Sequence, residues 1–256
     1  MLMAIDVGNT NITIGFYDGD DLVATKRAST AERRTSDEIA VLLYAFMDLA
    51  QILPDQIDAV IVSSVVPKIM HSLKNAIVKY LHLEPLIVGP GIRTGISVQL
   101  DNPRSVGADR IADCAGAYHT YGGPILVVDF GTATTYDYVD ADGVFRAGAI
   151  SVGIESGANA LWGRTAQLPE VEIRKPETIL ARNTATEMQA GIFFQFLGGF
   201  ETTVKQYRRE LKTDFRVVAT GGLGRVICGA TDMIDVYDPD LIFKGLKTIY
   251  DKNQDG

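Results

Sequence analysis

Two stretches of this chain place acids where an ordinary fold gains little from them. The first is "LMAIDVGNTNITIGFY", in which an apolar run ends at Asp6 and is followed at once by Gly8, Asn9, Thr10 and Asn11. Glycine at position 8 permits a positive φ and a close approach of backbone to a ligand. The hydroxyls, amides and N–H groups of Asn9, Thr10, Asn11 and Thr13 could surround phosphate oxygens, and Asp6 beside them could hold a hydrated Mg2+. A tight hairpin whose acid accepts turn N–H groups is the alternative. No G-x-x-x-x-G-K-[ST] run occurs, so this is not a Walker loop. The second stretch is "DNPRSVGADRIADCAGAY". There Asp109 could take a proton from a substrate hydroxyl, and Arg110 could hold a carboxylate through two parallel hydrogen bonds. An acid ahead of an alanine-rich helix beginning near Ile111 could equally be a cap. A weaker third feature, "ATGGLG" after the run "FRVV", could lay a flat ring on backbone or be a plain turn.

The opening pattern returns. "ILVVDFGTATTYDYVDADGVF" aligns without gaps on "LMAIDVGNTNITIGFYDGDDL", setting Asp129 on Asp6, Gly131 on Gly8, Thr132 on Asn9 and Thr134 on Asn11. Two copies of one unit are therefore expected, residues 1–115 and 116–256. Their two Asp-Gly-hydroxyl turns could clamp a nucleotide's phosphates from both sides.

The elements that must carry these turns follow from periodicity. Met3–Asp6, Ile12–Tyr17 and Leu22–Ala24 read as strands. "TSDEIAVLLYAFMDLAQIL" reads as an amphipathic helix with Ser36 as N-cap and acids in its first turn. "DAVIVSSVVP" is a buried strand, "KIMHSLKNAIVKYL" a second helix and "PLIVGPG" a short strand. The order βββαβαβ implies an α/β layer covered on both faces. Downstream, "TATEMQAGIFFQFLGGFETTVKQYRREL" and "DLIFKGLKTIYDK" read as helices, with "NQDG" frayed. The segment "GIFFQFLGGF" carries more apolar surface than a small domain readily hides, which points to self-association.

Composition narrows the partners. The chain has 256 residues, 46% of them hydrophobic, and a formal net charge of −8. An acid excess argues against nucleic acid, and no apolar run reaches the length of a membrane span. Cys114 and Cys228 stand far apart, and His71, His82 and His119 are scattered, which excludes a zinc-type spacing. With no leader-like opening, a cytoplasmic location is expected.

The ordered set "DVGNT", "NPRSVGADR", "DFGTATT", "AGAISVGIE", "RTAQLPEVE", "NTATEM" and "ATGGLG" resembles the type III pantothenate kinases, over nearly the whole chain. The first and third motifs mark only the broader actin-like and sugar-kinase-like ATPases; "GADR" with "NTATEM" narrows the resemblance. It implies an α/β protein of two ribonuclease-H-like domains with a nucleotide cleft between them. It also implies transfer of phosphate from ATP to the terminal hydroxyl of pantothenate, the first step of coenzyme A biosynthesis, with Mg2+, with K+ or NH4+, and in a homodimer. Carried over by position, Asp6, Val7, Gly8, Asn9, Thr10, Asn11, Ile12 and Thr13 match the phosphate-binding turn, and Thr132 an ATP contact. Gly107, Ala108, Asp109 and Arg110 match the pantothenate segment, with Asp109 as base. Asp129 matches the monovalent-cation ligand and Thr184 a pantothenate contact. Leu100 stands where the family often has tyrosine, and Val152 where it often has proline, which alters a pocket wall and a nearby loop. A phosphate-hydrolysing member of the superfamily and a non-catalytic regulator are the alternatives.

Overall fold

The computed structural model of the protein describes residues 1–31 and 33–254. The chain forms two compact units, one of Met1–Ser97, Asp101–Thr120 and the stretch from Leu241, the other of Val98–Leu100 and Tyr121–Asp240.

In the first unit, β1 (Leu2–Val7), β2 (Asn11–Asp18) and β3 (Asp21–Ser29) precede α1 (Ser36–Leu49), β4 (Ala59–Ser64), α2 (Pro67–Ala76) and β5 (Leu86–Ile87). The sheet order is β3-β2-β1-β4-β5. Strand alternation divides β1 between two cores. Met3, Ile5 and Val7 pack with Ile39, Leu43 and Met47 of α1 and Ile69 and Leu73 of α2. Leu2 and Ala4 pack on the opposite face, with Ala112 and Ala115 of α3 (Ala108–Tyr121) and Phe243, Leu246 and Ile249 of α7 (Leu241–Lys252). Asp6 falls on this second face. The N-cap of α1 is Thr35 rather than Ser36, because Thr35 and Glu38 close a reciprocal capping box.

The second unit takes in β6 (Ser97–Val98) from Val98 onward, with β7 (Ile125–Phe130), β8 (Ala133–Val139) and β9 (Val144–Val152). It continues with α4 (Ile154–Gly163), α5 (Thr184–Leu211), β10 (Arg216–Thr220), α6 (Gly224–Cys228) and β11 (Val236–Tyr237). Its sheet order is β11-β10-β7-β8-β9-β6. Apart from the added edge β6, this repeats the first sheet strand for strand. Leu126, Val128 and Phe130 pack with Ile154 and Ala158 of α4 and with Ile192, Phe193, Phe200 and Val204 of α5.

The repeat is real but not gapless. In the first copy Val7 pairs with Ile12, whereas in the second Phe130 pairs with Thr134, so the second turn is one residue shorter. The flanking hydrogen bonds agree: Thr30 N–H donates to Thr10 O at 2.8 Å, and Gly153 N–H to Thr132 O at 3.2 Å. Thr132 thus corresponds to Thr10 instead of Asn9. Thr134 takes the place of Ile12 instead of Asn11, and its hydroxyl is buried without a partner.

The division differs from 1–115 and 116–256 at the C-terminus, where α7 belongs to the first unit. Phe243 and Leu246 complete the core on the Asp6 face. At the α3–α7 crossing, a Cβ on Gly116 would come 2.7 Å from the Leu241 carbonyl oxygen, and one on Gly245 would overlap that of Ala112. The tail after α7 is tied down at Asn253, which accepts from Arg93 N–H at 3.2 Å and donates to Arg93 O at 2.9 Å. Of the stretch expected to fray, Asp255 and Gly256 lie outside the described residues. Among the described residues no helix is long and apolar enough to cross a membrane.

Candidate functional site

In the first unit the candidate residues gather at the C-terminal ends of β1 and β4. Asp6 is the fifth residue of β1, flanked by Thr13 on antiparallel β2 and Ser63 on parallel β4. The turn after it is closed by Gly8 N–H donating to Asn11 O at 2.9 Å and Thr30 Oγ1–H donating to Gly8 O at 2.7 Å. Asn9 and Thr10 are exposed at its tip. Gly8 is not in the left-handed region. The absence of a side chain matters there through space, because a Cβ would stand 3.3 Å from the Asn11 carbonyl oxygen.

The second candidate stretch reaches the same edge. Helix α3 begins at Ala108 rather than near Ile111, with Ile111 N–H donating to Gly107 O at 3.2 Å, so Asp109 and Arg110 lie in its first turn. Asp109 Oδ1 accepts the Arg110 backbone N–H at 2.7 Å. That bond performs part of the capping role foreseen for an acid here. Gly107 fixes the carboxylate from behind: a Cβ on it would overlap Asp109 Oδ1 and come 3.3 Å from Val65 Cγ1, just past the end of β4. Burial pushes the Asp109 carboxyl above its ordinary value, and the Arg110 N–H and guanidinium pull it partly back. A partly dehydrated carboxylate of raised basicity at a helix start is suited to accept a proton.

In the second unit Asp129 holds the equivalent strand-end position, paired with Thr135 on β8 and Thr220 on β10. Gly221 has φ +89°, and a Cβ there would overlap Asp129 Oδ1 and stand 2.6 Å from the Phe130 carbonyl carbon. A Cβ on Gly131 would stand 3.0 Å from Asp129 Oδ2. The "ATGGLG" turn is therefore the wall of the Asp129 site, and Tyr237 Oη–H donates to Gly221 O at 3.0 Å to hold it. The Thr132 turn rests on the start of α4, where Ser156 Oγ–H donates to Thr132 O at 2.7 Å. A side chain at Gly153 would overlap the Gly131 and Thr132 carbonyl oxygens. Thr184 is exposed at the start of α5, whose N-cap Asn183 accepts Thr186 N–H at 3.0 Å. Leu100 follows β6 at the edge of this second sheet, where Gln99 N–H donates to Phe145 O at 3.0 Å.

Metal-site chemistry is restricted by the donor set. Among the described residues no group of three or more His, Cys, Asp or Glu could hold an ion. Cys228 is held as a thiol, pushed up to about 11 by burial. Sequence reading passed over Ser63, because a hydroxyl inside an apolar strand carries no local signal, and it marked "ATGGLG" for its glycines without assigning a role to Thr220.

Comparison with known proteins bears on the whole chain. The family model described as type III pantothenate kinase matches residues 2–206. A type III pantothenate kinase of Bifidobacterium longum subsp. infantis is 57% identical over 253 residues, covering 99% of each chain. One from Listeria monocytogenes serovar 1/2a is 44% identical over 254 residues, covering 99% of this chain and 98% of its own. Among solved structures, a conserved putative Baf family transcriptional activator from Campylobacter jejuni is similar with TM-score 0.62 at 19% identity, covering 99% of this chain and 100% of its own. A putative 2-dehydro-3-deoxygalactonokinase from Sinorhizobium meliloti gives TM-score 0.57 at 12% identity, covering 98% and 96%. These two show a shared fold.

Proposed function

This chain belongs to the type III pantothenate kinase family and phosphorylates pantothenate in the first step of coenzyme A biosynthesis; on that premise we propose which of its residues carry the reaction. Asp109 is the base, and the observation that carries the reading is its carboxylate, fixed between Gly107 and the Arg110 N–H and raised in basicity by burial. The pantothenate hydroxyl oxygen forms a bond to the γ-phosphorus of ATP, the bond from that phosphorus to the leaving ADP oxygen breaks, and the hydroxyl proton passes to Asp109. In such a transfer protein groups chiefly position and neutralise charge, so a carboxylate that collects the proton late is sufficient.

The remaining roles follow the two turns. Asp6 through Thr13 and Thr132 receive the nucleotide's phosphates. Gly107 through Arg110, Thr184 and Leu100 are assigned to pantothenate, with Arg110 to hold its carboxylate. Mg2+ fits Asp6, a single strand-end carboxylate with a polar turn after it, since magnesium usually takes one or two carboxylates and otherwise water and phosphate. A monovalent cation, K+ or NH4+, fits Asp129, where backbone closes on both carboxylate oxygens in a cradle that any Cβ would fill. When bound, these ions supply neutralisation of phosphate charge.

A homodimer is supported by apolar exposure in the second unit. Ile192, Phe193 and Phe200 of α5 are buried in their own core, which accounts for most of the "GIFFQFLGGF" segment, but Phe194 is 41% exposed and Leu180 78%. We place the enzyme in the cytoplasm, and the acid excess of the chain argues against a nucleic-acid partner.

Phosphorylation measured with pantothenate and ATP tests the assignment directly. Folded Asp109→Asn protein should lose kcat while its nucleotide affinity stays near wild type. Retention of kcat within about threefold would remove Asp109 as base, because general bases contribute about 10²–10⁴.

A further inference from the structure

Ser63 carries a buried hydroxyl that the roles above leave unused. It is the fifth residue of β4 and pairs directly with Asp6 across the parallel β1–β4 ladder. Paired residues on neighbouring strands project to the same face of a sheet. Ser63 is fully buried, and its Oγ has no hydrogen-bond partner. A hydroxyl in that condition weakens folding, and alanine would serve the strand better. The second unit repeats the arrangement: the β7–β10 ladder pairs Asp129 with Thr220, which is also buried. Each unit therefore sets a buried hydroxyl residue beside its strand-end aspartate, on the next parallel strand.

We propose that Ser63 is a positioning residue for Asp6. Its hydroxyl donates to the Asp6 carboxylate when that group engages nucleotide-bound magnesium, fixing which oxygen faces the ion. Rotation among the staggered wells of χ1 supplies the reorientation without moving the strand. This rests on the reading of Asp6 as the carboxylate on the magnesium side. Partners of this kind, one step behind a metal ligand, typically govern affinity or activity by about 10–100-fold.

The test is Ser63→Ala, with Ser63→Thr as the conservative variant and Asp6→Ala as control. The ligand-free Ser63→Ala protein should melt at the wild-type temperature or about 2–4 °C above it, since an unpartnered hydroxyl has been removed. Its apparent affinity for Mg2+ at fixed ATP should fall about 10-fold or more. The thermal shift given by Mg2+ with a non-hydrolysable ATP analogue should shrink with it. Ser63→Thr should restore both. A melting temperature clearly below wild type, a failure to fold, or an unchanged Mg2+ dependence in Ser63→Ala would each overturn the proposal. If Asp6→Ala itself keeps the wild-type Mg2+ dependence, the reading of Asp6 falls. If Asp6→Ala loses that dependence and Ser63→Ala does not, only the role of Ser63 falls.

Discussion

Gly107 and Asp109 are matched so closely that a side chain on the first would displace the carboxylate of the second. The atom in the way is Asp109 Oδ1, the end of a short side chain, so the fold can accommodate the intrusion by letting the carboxylate rotate. Gly107→Ala should therefore remain folded and lose turnover, with kcat down about 10–100-fold, since small misplacement of a reacting group costs on that order. Melting within a few degrees of wild type, together with that loss, is the expected pair. A variant with wild-type kcat would show that the carboxylate's orientation is immaterial.

Asp109→Asn separates base from cap. Burial raises the folded-state carboxyl above its ordinary value. A group raised in this way favours folding below its unfolded pKa and loses that contribution as pH rises through the folded one. At neutral pH the ionised Asp109 is thus a burden on the fold, and the amide should melt at or above the wild-type temperature while kcat falls about 10²–10⁴-fold. The acid limb of the wild-type kcat/KM profile, which reports the free enzyme, should lie above the ordinary aspartate range near 3.9, and it should vanish in the variant. A purely capping Asp109 would give the reverse, a lower melting temperature with activity retained.

Asp129 and Gly221 predict the cation behaviour. With the carboxylate enclosed by the backbone of Gly221 and Gly131, activity should collapse in Na+-only buffer and return with K+ or NH4+. Asp129→Ala should be inactive and insensitive to either ion. Gly221→Ala should be harsher than Gly107→Ala, because its φ of +89° and the Phe130 backbone at 2.6 Å leave no flexible group to yield. A melting temperature lowered by several degrees would register this. Full turnover of the wild-type enzyme without K+ or NH4+ would remove the cation role.

The strand-end aspartates were legible from one line of sequence, because an apolar run ending in Asp-x-Gly is unusual and occurs twice. Its finer register was not. The gapless match set Thr132 on Asn9, yet the pairing of Phe130 with Thr134 shortens the second turn by one residue. The inward side of β8 then carries Thr134 where β2 carries Ile12, a difference that only the ladders expose. Thr35 as N-cap was readable, since Thr-Ser-Asp-Glu spells a capping box one residue before Ser36. Helix α4 gave no such cue: Gly153 caps it without a side-chain bond, and Gly157 lies inside it. The hydroxyl residues beside Asp6 and Asp129, Ser63 and Thr220, come from parallel strands remote in sequence. Local pattern carries no record of such pairings.

The last element of the chain supplies the sharpest stability prediction. Amphipathic periodicity identified α7 but not the sheet it covers, and continuity of sequence assigned it to the second unit. It covers instead the Asp6 face of the first sheet, where Phe243 is buried and a Cβ on Gly15 would come 2.7 Å from its ring. Phe243 is thus packed against a position of β2 that only glycine leaves open, with Leu22 closing the other side at 3.0 Å. Phe243→Ala removes a ring that nothing nearby can replace, and such truncations cost about 3–5 kcal/mol. For a chain of this length, the melting temperature should fall by about 6–20 °C. Removal of α7 altogether should leave the first unit without one wall of its core and yield insoluble protein. A soluble, cooperatively melting fragment ending at Asp240 would show that the first sheet does not need α7.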